Sequence, residues 1–275
     1  MATTIMNTKY KRPWFFYSLS LIIPWAFWFA AAYISRMPLK NNNLTILQAI
    51  LGIVGLVSPM LVAAYLFATD RELLTDLKHR FIWTKGTKPA YTILAFGLIF
   101  CSIVIAQLVS VLFGHSLNQF AISGRPGFTS ALLSPWFILL FAPIVEELAW
   151  HSYGTDTLRQ KFNLFITSII FSVYWVFWHL PLSFIDGYYH SNVVAEGWLY
   201  ALNFVFSLFV FVILMNWLYY KTKRNLFITI VFHLSANLSN EIFATHPDSK
   251  VIQTAILLVV TIIVLVKDRK MFFER

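Results

Sequence analysis

The most chemically informative stretch of this chain is a pair of adjacent carboxylates, Glu146 and Glu147, with His151 four residues after the second. Apolar residues surround them: Phe141-Ala-Pro-Ile-Val precedes the pair, and Leu-Ala-Trp separates it from the histidine. An ionised group inside a bilayer costs on the order of 2.5–3.5 kcal/mol. We therefore expect these side chains to have a chemical role, as a general base, a metal ligand or a proton relay.

The spacing of these groups predicts different roles for the two glutamates. On a helix, Glu147 and His151 face the same way and can pair, because they are four residues apart. Glu146 is rotated by about 100° from its neighbour and is free to point elsewhere. We predict that Glu147 is held by His151 and that Glu146 reaches other partners.

Two later apolar segments also carry polar groups at helical spacing. Trp175 and His179 lie four residues apart in one, and His233 and Asn237 do so in the other. A single histidine in such surroundings is more often a structural hydrogen-bonding residue between helices. Three segments that all place such groups in apolar surroundings indicate one shared polar site.

The composition is that of an integral membrane protein. Of the 275 residues, 59% are hydrophobic and 12% charged, with a mean hydropathy of +0.69. A soluble domain carries roughly 25% charged residues. The single cysteine, Cys101, excludes an internal disulfide. No Cys-x-x-Cys, Gly-x-Gly-x-x-Gly, Walker-type or His-Glu-x-x-His motif is present in the sequence.

Eight apolar segments predict the elements that position the motifs. Most are long enough to span ~30 Å of hydrocarbon at 1.5 Å per residue. The first exceeds the ~7–15 apolar residues of a signal peptide, so we expect an uncleaved anchor. In the second, Gly52, Gly55 and Ser58 predict close helix packing. The segments are Trp14–Ile34, Leu44–Ala68, Ala90–Phe113, Ala131–Trp150, Phe162–Leu182, Trp198–Tyr220, Leu226–Phe243 and Val251–Val266. We predict an all-α, polytopic membrane helix bundle, a single domain over residues 1–275 with the motifs in about 130–240.

The basic residues predict the orientation of this bundle. With eight spans, all but four of the 21 lysines and arginines fall on the side of the termini. The exceptions are Arg36, Lys40, Arg125 and Lys250. This asymmetry indicates that both termini are cytoplasmic. It also accounts for the net charge of +9 without a nucleic-acid partner. Residues 70–89 alternate charged and apolar groups at helical spacing, which predicts a helix on the membrane surface.

The three motifs resemble those of the CAAX-protease and bacteriocin-processing (CPBP, also called Abi) intramembrane proteases, to which the CAAX prenyl endopeptidases belong. That family carries Glu-Glu-x-x-x-Arg, Phe-x-x-x-His and His-x-x-x-Asn on separate transmembrane helices. In this chain the motifs read Glu146-Glu147-Leu-Ala-Trp-His151, Trp175-x-x-x-His179 and His233-x-x-x-Asn237. Two positions depart from the family pattern. Trp175 replaces one aromatic residue with another, whereas His151 replaces the permanently charged, bidentate donor that arginine provides.

The resemblance implies an intramembrane endopeptidase acting on a membrane-associated peptide or protein. In that assignment Glu146 is the general base and His179 holds the water that it activates. His233 and Asn237 then bind the developing oxyanion. The residues implied to support this site are Glu147, His151 and Trp175. No cofactor is expected, and the partners are the peptide substrate and the lipid bilayer of the plasma (inner) membrane. Nothing in the sequence assigns an oligomeric state.

Three alternatives remain open at the level of sequence. Glu146, His179 and His233 form a two-histidine, one-carboxylate set that a catalytic zinc also takes. Acidic and histidine residues along a pathway also fit a polytopic transporter or proton-relay protein. A catalytically silent relative acting as a binding or immunity factor is the third, because His151 departs from the family pattern. A protease needs its polar groups in one pocket, whereas a relay strings them along the membrane normal.

Two further expectations concern the surroundings of the site. Counting from the cytoplasmic charges leads us to expect a cavity that opens toward the cytoplasm. The polar residues Asp186, His190, Glu241 and His246 are interpreted as ordinary interfacial or loop residues.

Overall fold

The computed structural model describes residues 9–38, 41–81 and 88–275, where the regular structure is helical apart from one isolated antiparallel bridge between Ile122 and Phe243. The predicted all-α fold is confirmed. The α-helices are α1 (Pro13–Ser35), α2 (Asn42–Ala68), α3 (Arg71–Arg80), α4 (Pro89–Leu112), α5 (Pro135–Ala149), α6 (Thr155–Arg159), α7 (Leu164–His179), α8 (Tyr189–Glu196), α9 (Trp198–Lys221), α10 (Leu226–Ile242), α11 (Pro247–Lys267) and α12 (Arg269–Phe273). Shorter helical turns cover Leu117–Phe120, Trp150–Gly154 and Leu180–Phe184.

Among the described residues, six helices are long and apolar enough to cross a membrane. They are α1, α2, α4, α9, α11 and the continuous segment Leu164–Phe184 that α7 begins. The chain is therefore an integral, multi-pass membrane protein. The two motif-bearing helices α5 and α10 have only 15 and 17 residues. They pack against each other, α5 also contacts α2, and α10 also contacts α4. Eight spans with cytoplasmic termini stay a prediction.

Proline and asparagine begin the three helices that carry the motifs. Pro135 is the first residue of α5, where its missing N–H costs no hydrogen bond. Asn163 caps α7 by accepting a hydrogen bond from the backbone N–H of Ile166 at 2.9 Å. Asn225 caps α10 in the same way, through the N–H of Phe227 at 3.0 Å. These local signals set where each motif begins along its helix.

Small residues on α2 allow α1 to approach closely, as predicted. The indole Nε1 of Trp28 donates to the carbonyl oxygen of Gly52 at 3.0 Å. A Cβ atom added to Gly55 would lie 2.3 Å from the same Nε1, which is too close for any side chain. Trp28 is buried in this contact and forms part of the cavity wall described below.

The predicted surface helix begins as α3, and its residues 82–87 lie outside the described part of the chain. One of its charged residues is buried. Arg80 is 4% exposed, and its Nη1 donates to Asp156 at 2.8 Å. Asp156 is itself fully buried beside the motif helix α5, and a buried carboxylate needs a cationic partner. Arg80 is therefore buried against Asp156 and does not extend into solvent.

A second cation reaches Asp156 through a constrained turn between α9 and α10. Lys223 and Arg224 both have positive φ angles, 58° and 65°. Such a conformation costs of order 1–3 kcal/mol for a residue other than glycine. The turn brings Arg224 Nε to 3.0 Å from Asp156, and Nη1 of Arg224 to 3.0 Å from Asp76 on α3. These ion pairs offset the backbone strain and join α3, α6 and the start of α10.

Candidate active site

A cavity of about 880 Å³ lies among α2, α5, α7, α9, α10 and α11. The four side chains predicted to be catalytic all line it: Glu146, His179, His233 and Asn237. A protease requires these groups to share one cavity. Their individual roles stay predictions.

The two glutamates point to different surroundings, as their spacing predicts. Glu146 lies near the end of α5, is 6% exposed and accepts a hydrogen bond from Nε1 of Trp150 at 3.3 Å. Glu147 is fully buried and does not line the cavity. Only Glu146 is thus placed to meet a substrate or a water.

Glu147 joins two histidines from different elements. Its Oε2 pairs with Nδ1 of His151, which confirms the predicted i, i+4 contact. Its Oε1 also accepts a hydrogen bond from Nδ1 of His233 at 2.8 Å. This second contact was not predicted, because helical spacing identifies partners on the same helix and not a partner 86 residues away. Glu147 therefore fixes the orientation of a cavity histidine as well as that of His151.

His151 has a hydrogen-bonding partner on each side of its ring. It lies in the π-helical turn Trp150–Gly154 that follows α5, and its Nε2 is 3.0 Å from Oδ1 of Asn216. The Asn216 amide is oriented by Ser168, whose Oγ donates to a backbone carbonyl and so accepts from Nδ2 of Asn216 at 2.9 Å. Both ring nitrogens of His151 thus lie beside side-chain oxygens, Oε2 of Glu147 on one side and Oδ1 of Asn216 on the other.

The cavity histidines are each held through Nδ1. Nδ1 of His179 donates to the carbonyl oxygen of Trp175 at 2.7 Å, and Nδ1 of His233 is held by Glu147. Nε2 is then the nitrogen left on each ring for a water, a substrate or a metal. The Trp175 ring lies between them, with centroids 5.1 Å from His179 and 5.5 Å from His233.

Glu146, His179 and His233 are also suitable ligands for zinc, the alternative raised by the sequence. Histidines that bind zinc generally donate their second ring N–H to a carboxylate or a carbonyl oxygen, as His179 and His233 do here. In the described part of the chain, a group whose ligand atoms already lie within 4.8 Å of one another is found elsewhere. It consists of His115, His246 and Asp248.

Three functional candidates were missed or set aside at the level of sequence. Asn216 is a fully buried amide in an apolar helix. A single amide among apolar residues is visible in the sequence and could have been singled out there. His190 lines the cavity, and its ring lies 4.9 Å from that of His179. Glu241 also lines the cavity and is 7% exposed. His190 lies between two apolar segments and Glu241 lies near the end of one, where sequence does not distinguish an interfacial residue from a cavity residue.

The cavity opens at the end of the bundle opposite the termini. Its polar rim comes from the loop 123–133, from α8 and from the first turn of α11. The N-terminal start of α1, helix α3 and Arg224 lie together at the other end, around Asp156. Cytoplasmic termini and a cavity open toward the cytoplasm, both expected from sequence, therefore exclude each other.

Cysteine labelling decides between these two expectations. In a Cys101→Ser background, the charge asymmetry predicts that a membrane-impermeant maleimide labels Arg125→Cys at the cavity mouth in intact cells. Lys161→Cys, exposed at the opposite end, should react only after permeabilisation. The reverse pattern would show that the mouth is cytoplasmic and that the charge-based orientation is wrong.

The chain is similar to known proteins both in the region that carries the motifs and over nearly its whole length. The type II CAAX prenyl endopeptidase Rce1-like family matches residues 128–239, which include all three motifs. Over 273 residues the chain is 30% identical to the CAAX prenyl protease 2 of Methanococcus maripaludis. That similarity covers 98% of this chain and 99% of the relative.

Proposed function

This chain belongs to the type II CAAX prenyl endopeptidase Rce1-like family, and we propose that it hydrolyses a peptide bond with a water activated by Glu146. The observation that carries the proposal is the shared cavity, which collects Glu146, His179, His233 and Asn237 from three helices. The roles follow from their chemistry and from the family motifs that they match.

In the proposed reaction, Glu146 takes a proton from a water that His179 holds through Nε2. The resulting hydroxide attacks the carbonyl carbon of the scissile bond. His233 and Asn237 then donate hydrogen bonds to the developing oxyanion, and such a donor is worth roughly 2.7–4 kcal/mol in other hydrolases. Glu146 then returns the proton to the leaving amine as the C–N bond breaks.

Glu147 supports this reaction without touching the substrate. It holds the ring of His233 through Nδ1 and is held in turn by His151. Asn216 and Ser168 extend the chain of hydrogen bonds to α9 and α7. The proposal thus assigns the buried network to positioning and the cavity residues to chemistry.

Zinc is the alternative to a glutamate acting alone. Glu146, His179 and His233 would hold the ion, which supplies a Lewis acid and lowers the pKa of a bound water. We expect purified protein to cleave its substrate without stoichiometric metal and to keep its activity in the presence of a chelator. A stoichiometric zinc that is needed for activity, and that Glu146→Ala protein fails to bind, would overturn the metal-free mechanism.

We further propose that the substrate carries an isoprenoid-modified cysteine near its C-terminus. The similar archaeal protein is named a CAAX prenyl protease. The cavity wall also offers a surface suited to an isoprenoid, since it includes Trp28, Leu56, Trp178 and Phe204. The test compares a farnesylated peptide with the same peptide bearing an unmodified cysteine. We expect cleavage of the farnesylated peptide by the purified protein, and cleavage of neither would contradict the proposal.

A further inference from the structure

A cluster of two histidines and one carboxylate lies beside the mouth of the cavity, outside the candidate active site. It consists of His115, in the turn after α4, and of His246 and Asp248 at the start of α11. One ligand atom from each of the three lies within 4.8 Å of the others. None of the three is among the described residues that line the cavity, although their neighbours Thr245 and Pro247 are. The proposed hydrolysis therefore gives this cluster no role.

The distances within the cluster match those of a metal site. Nε2 of His115 is 3.2 Å from Oδ2 of Asp248, and Nδ1 of His246 is 3.6 Å from the same oxygen. Zinc binds nitrogen and carboxylate oxygen at about 2.0–2.2 Å in tetrahedral geometry, so two of its ligand atoms are about 3.3–3.6 Å apart. Both observed distances lie close to this range. An ion can thus be bound with only small movements of the side chains.

The hydrogen bonds around the cluster leave ligand atoms available. The Tyr200 hydroxyl on α9 donates to Oδ1 of Asp248 at 2.8 Å, which orients the carboxylate and leaves Oδ2 beside the histidines. Such a partner for the second atom of a ligand is typical of metal sites. Nδ1 of His246 accepts from the backbone N–H of Asp248 at 3.2 Å, so this nitrogen carries the lone pair that a metal requires. An ion replaces that N–H, which is exposed and can bind water instead.

Buried hydrogen bonds below the cluster hold its two parts together. Thr245 directly precedes the ligands of α11, and its Oγ1 accepts from Nε2 of Gln107 on α4 at 3.0 Å. Ser249 directly follows them, is fully buried and donates to Oε1 of Gln119 at 2.6 Å. Gln119 belongs to the helical turn Leu117–Phe120, just after the histidine that follows α4. The backbone that carries the three ligands is thus fixed in advance, which lowers the entropic cost of binding.

From this geometry we propose that His115, His246 and Asp248 bind a divalent transition-metal ion, with zinc the expected one. Imidazole nitrogens suit zinc, copper, iron and nickel, whereas magnesium and calcium prefer sites made of oxygen atoms. Three protein ligands leave one position of a tetrahedral ion open to water. The bound ion joins the turn after α4 to the start of α11. This site is separate from the zinc considered for the cavity residues, and the inference does not rest on the proposed hydrolysis.

The test measures zinc binding to purified full-length protein in detergent, without a polyhistidine tag. Every sample carries Cys101→Ser, which removes the thiol, and Glu146→Ala, which removes one ligand of the cavity set. The protein is stripped with a chelator, dialysed and titrated with zinc chloride by isothermal titration calorimetry. We expect this background to bind one equivalent of zinc. His115→Ala should weaken binding by at least about 10- to 100-fold, the loss that even a substitution behind the ligands usually causes.

Thermal unfolding provides a second readout. Zinc should raise the melting temperature of the background protein, since an ion that binds only the folded state stabilises it by mass action. His115→Ala should melt close to the background without metal and should gain nothing from zinc, which separates loss of the site from loss of the fold. His79→Ala removes an exposed histidine at the other end of the bundle and should retain full zinc binding. Excess magnesium should not displace the zinc.

Two results would overturn the inference. The first is an equal affinity for zinc in the background protein and in His115→Ala. The second is a background protein that takes up no zinc, whether or not protein with an intact Glu146 binds one equivalent in the cavity. Neither result bears on the endopeptidase function, which cleavage of the farnesylated peptide tests separately.

Discussion

Replacing Glu146 with glutamine is expected to lower kcat by about 10²- to 10⁴-fold, the usual contribution of a general base. Glutamine has the same shape and still accepts the hydrogen bond from Trp150, but it cannot take a proton from water. Because the change affects the reacting step and not the shape of the cavity, KM should change little. The measurement is steady-state cleavage of a farnesylated peptide by purified protein in detergent or liposomes.

A second carboxylate in the same cavity provides the control for this experiment. Glu196, at the end of α8, also lines the cavity but is exposed and carries no motif. We expect Glu196→Gln to retain activity close to that of wild type. Equal thermal stability of both variants would show that the loss in Glu146→Gln is chemical. Activity of Glu146→Gln within a few-fold of wild type would overturn the assignment of Glu146 as the base.

Replacing Asp156 with asparagine is expected to lower the free energy of unfolding by about 3–5 kcal/mol, the usual cost of removing one partner from a buried ion pair. Asp156 accepts hydrogen bonds from Arg80 at 2.8 Å, Tyr219 at 2.9 Å and Tyr220 at 2.8 Å, and it pairs with Arg224. The variant leaves the buried Arg80 with an incomplete set of anionic partners. Reversible denaturation in detergent micelles measures the change.

The same variant should alter the pH dependence of stability. Burial alone would raise the pKa of Asp156, but Arg224, Arg80 and the hydrogen bonds to it outweigh burial and hold the pKa below its ordinary value. A carboxyl whose pKa is lower in the folded state stabilises that state above the unfolded pKa of about 3.9. This stabilisation is lost as the pH falls through the folded pKa. The difference between wild type and Asp156→Asn should therefore be full near neutral pH and shrink below about pH 4.

An exposed ion pair is the control for Asp156. Asp186 lies 3.8 Å from Arg36, and both side chains are more than half exposed. Asp186→Asn should change stability by less than about 1 kcal/mol, because water already screens this pair. If the two substitutions lowered the free energy of unfolding equally, burial would not explain the effect of Asp156→Asn.

The Asp156→Asn substitution should also disturb the geometry of the candidate active site. Nη1 of Arg80 donates to the backbone carbonyl oxygen of His151 at 3.2 Å, and the Tyr219 hydroxyl, 2.8 Å from the same oxygen, shares its one hydrogen between it and Asp156. They thereby hold the π-helical turn from which the His151 side chain reaches Glu147. The network supports the end of α5 that carries the two glutamates. The sequence alone does not reveal this link, because Asp156 there is only a polar residue that follows an apolar segment.

The amino-acid sequence by itself determined the helical segments and the local geometry of the motifs. Hydropathy and spacing predicted an all-α membrane protein, and the i, i+4 separation predicted the pair Glu147–His151. These predictions succeed because helical periodicity relates residues within one turn of each other. The length of α5 was overestimated at its start, where the apolar run includes residues 131–134 but the helix begins only at Pro135.

The tertiary structure decided which faces of distant helices meet. It brought His233 to the second oxygen of Glu147, Asn216 to the far side of His151, and Lys250 to Glu241. It also placed the cavity mouth at the end away from the termini. None of these contacts has a periodic signature, because packing between segments far apart in the chain depends on the shape and polarity of whole surfaces. The motifs therefore identified residues that line one cavity, and helix packing determined how those residues are joined.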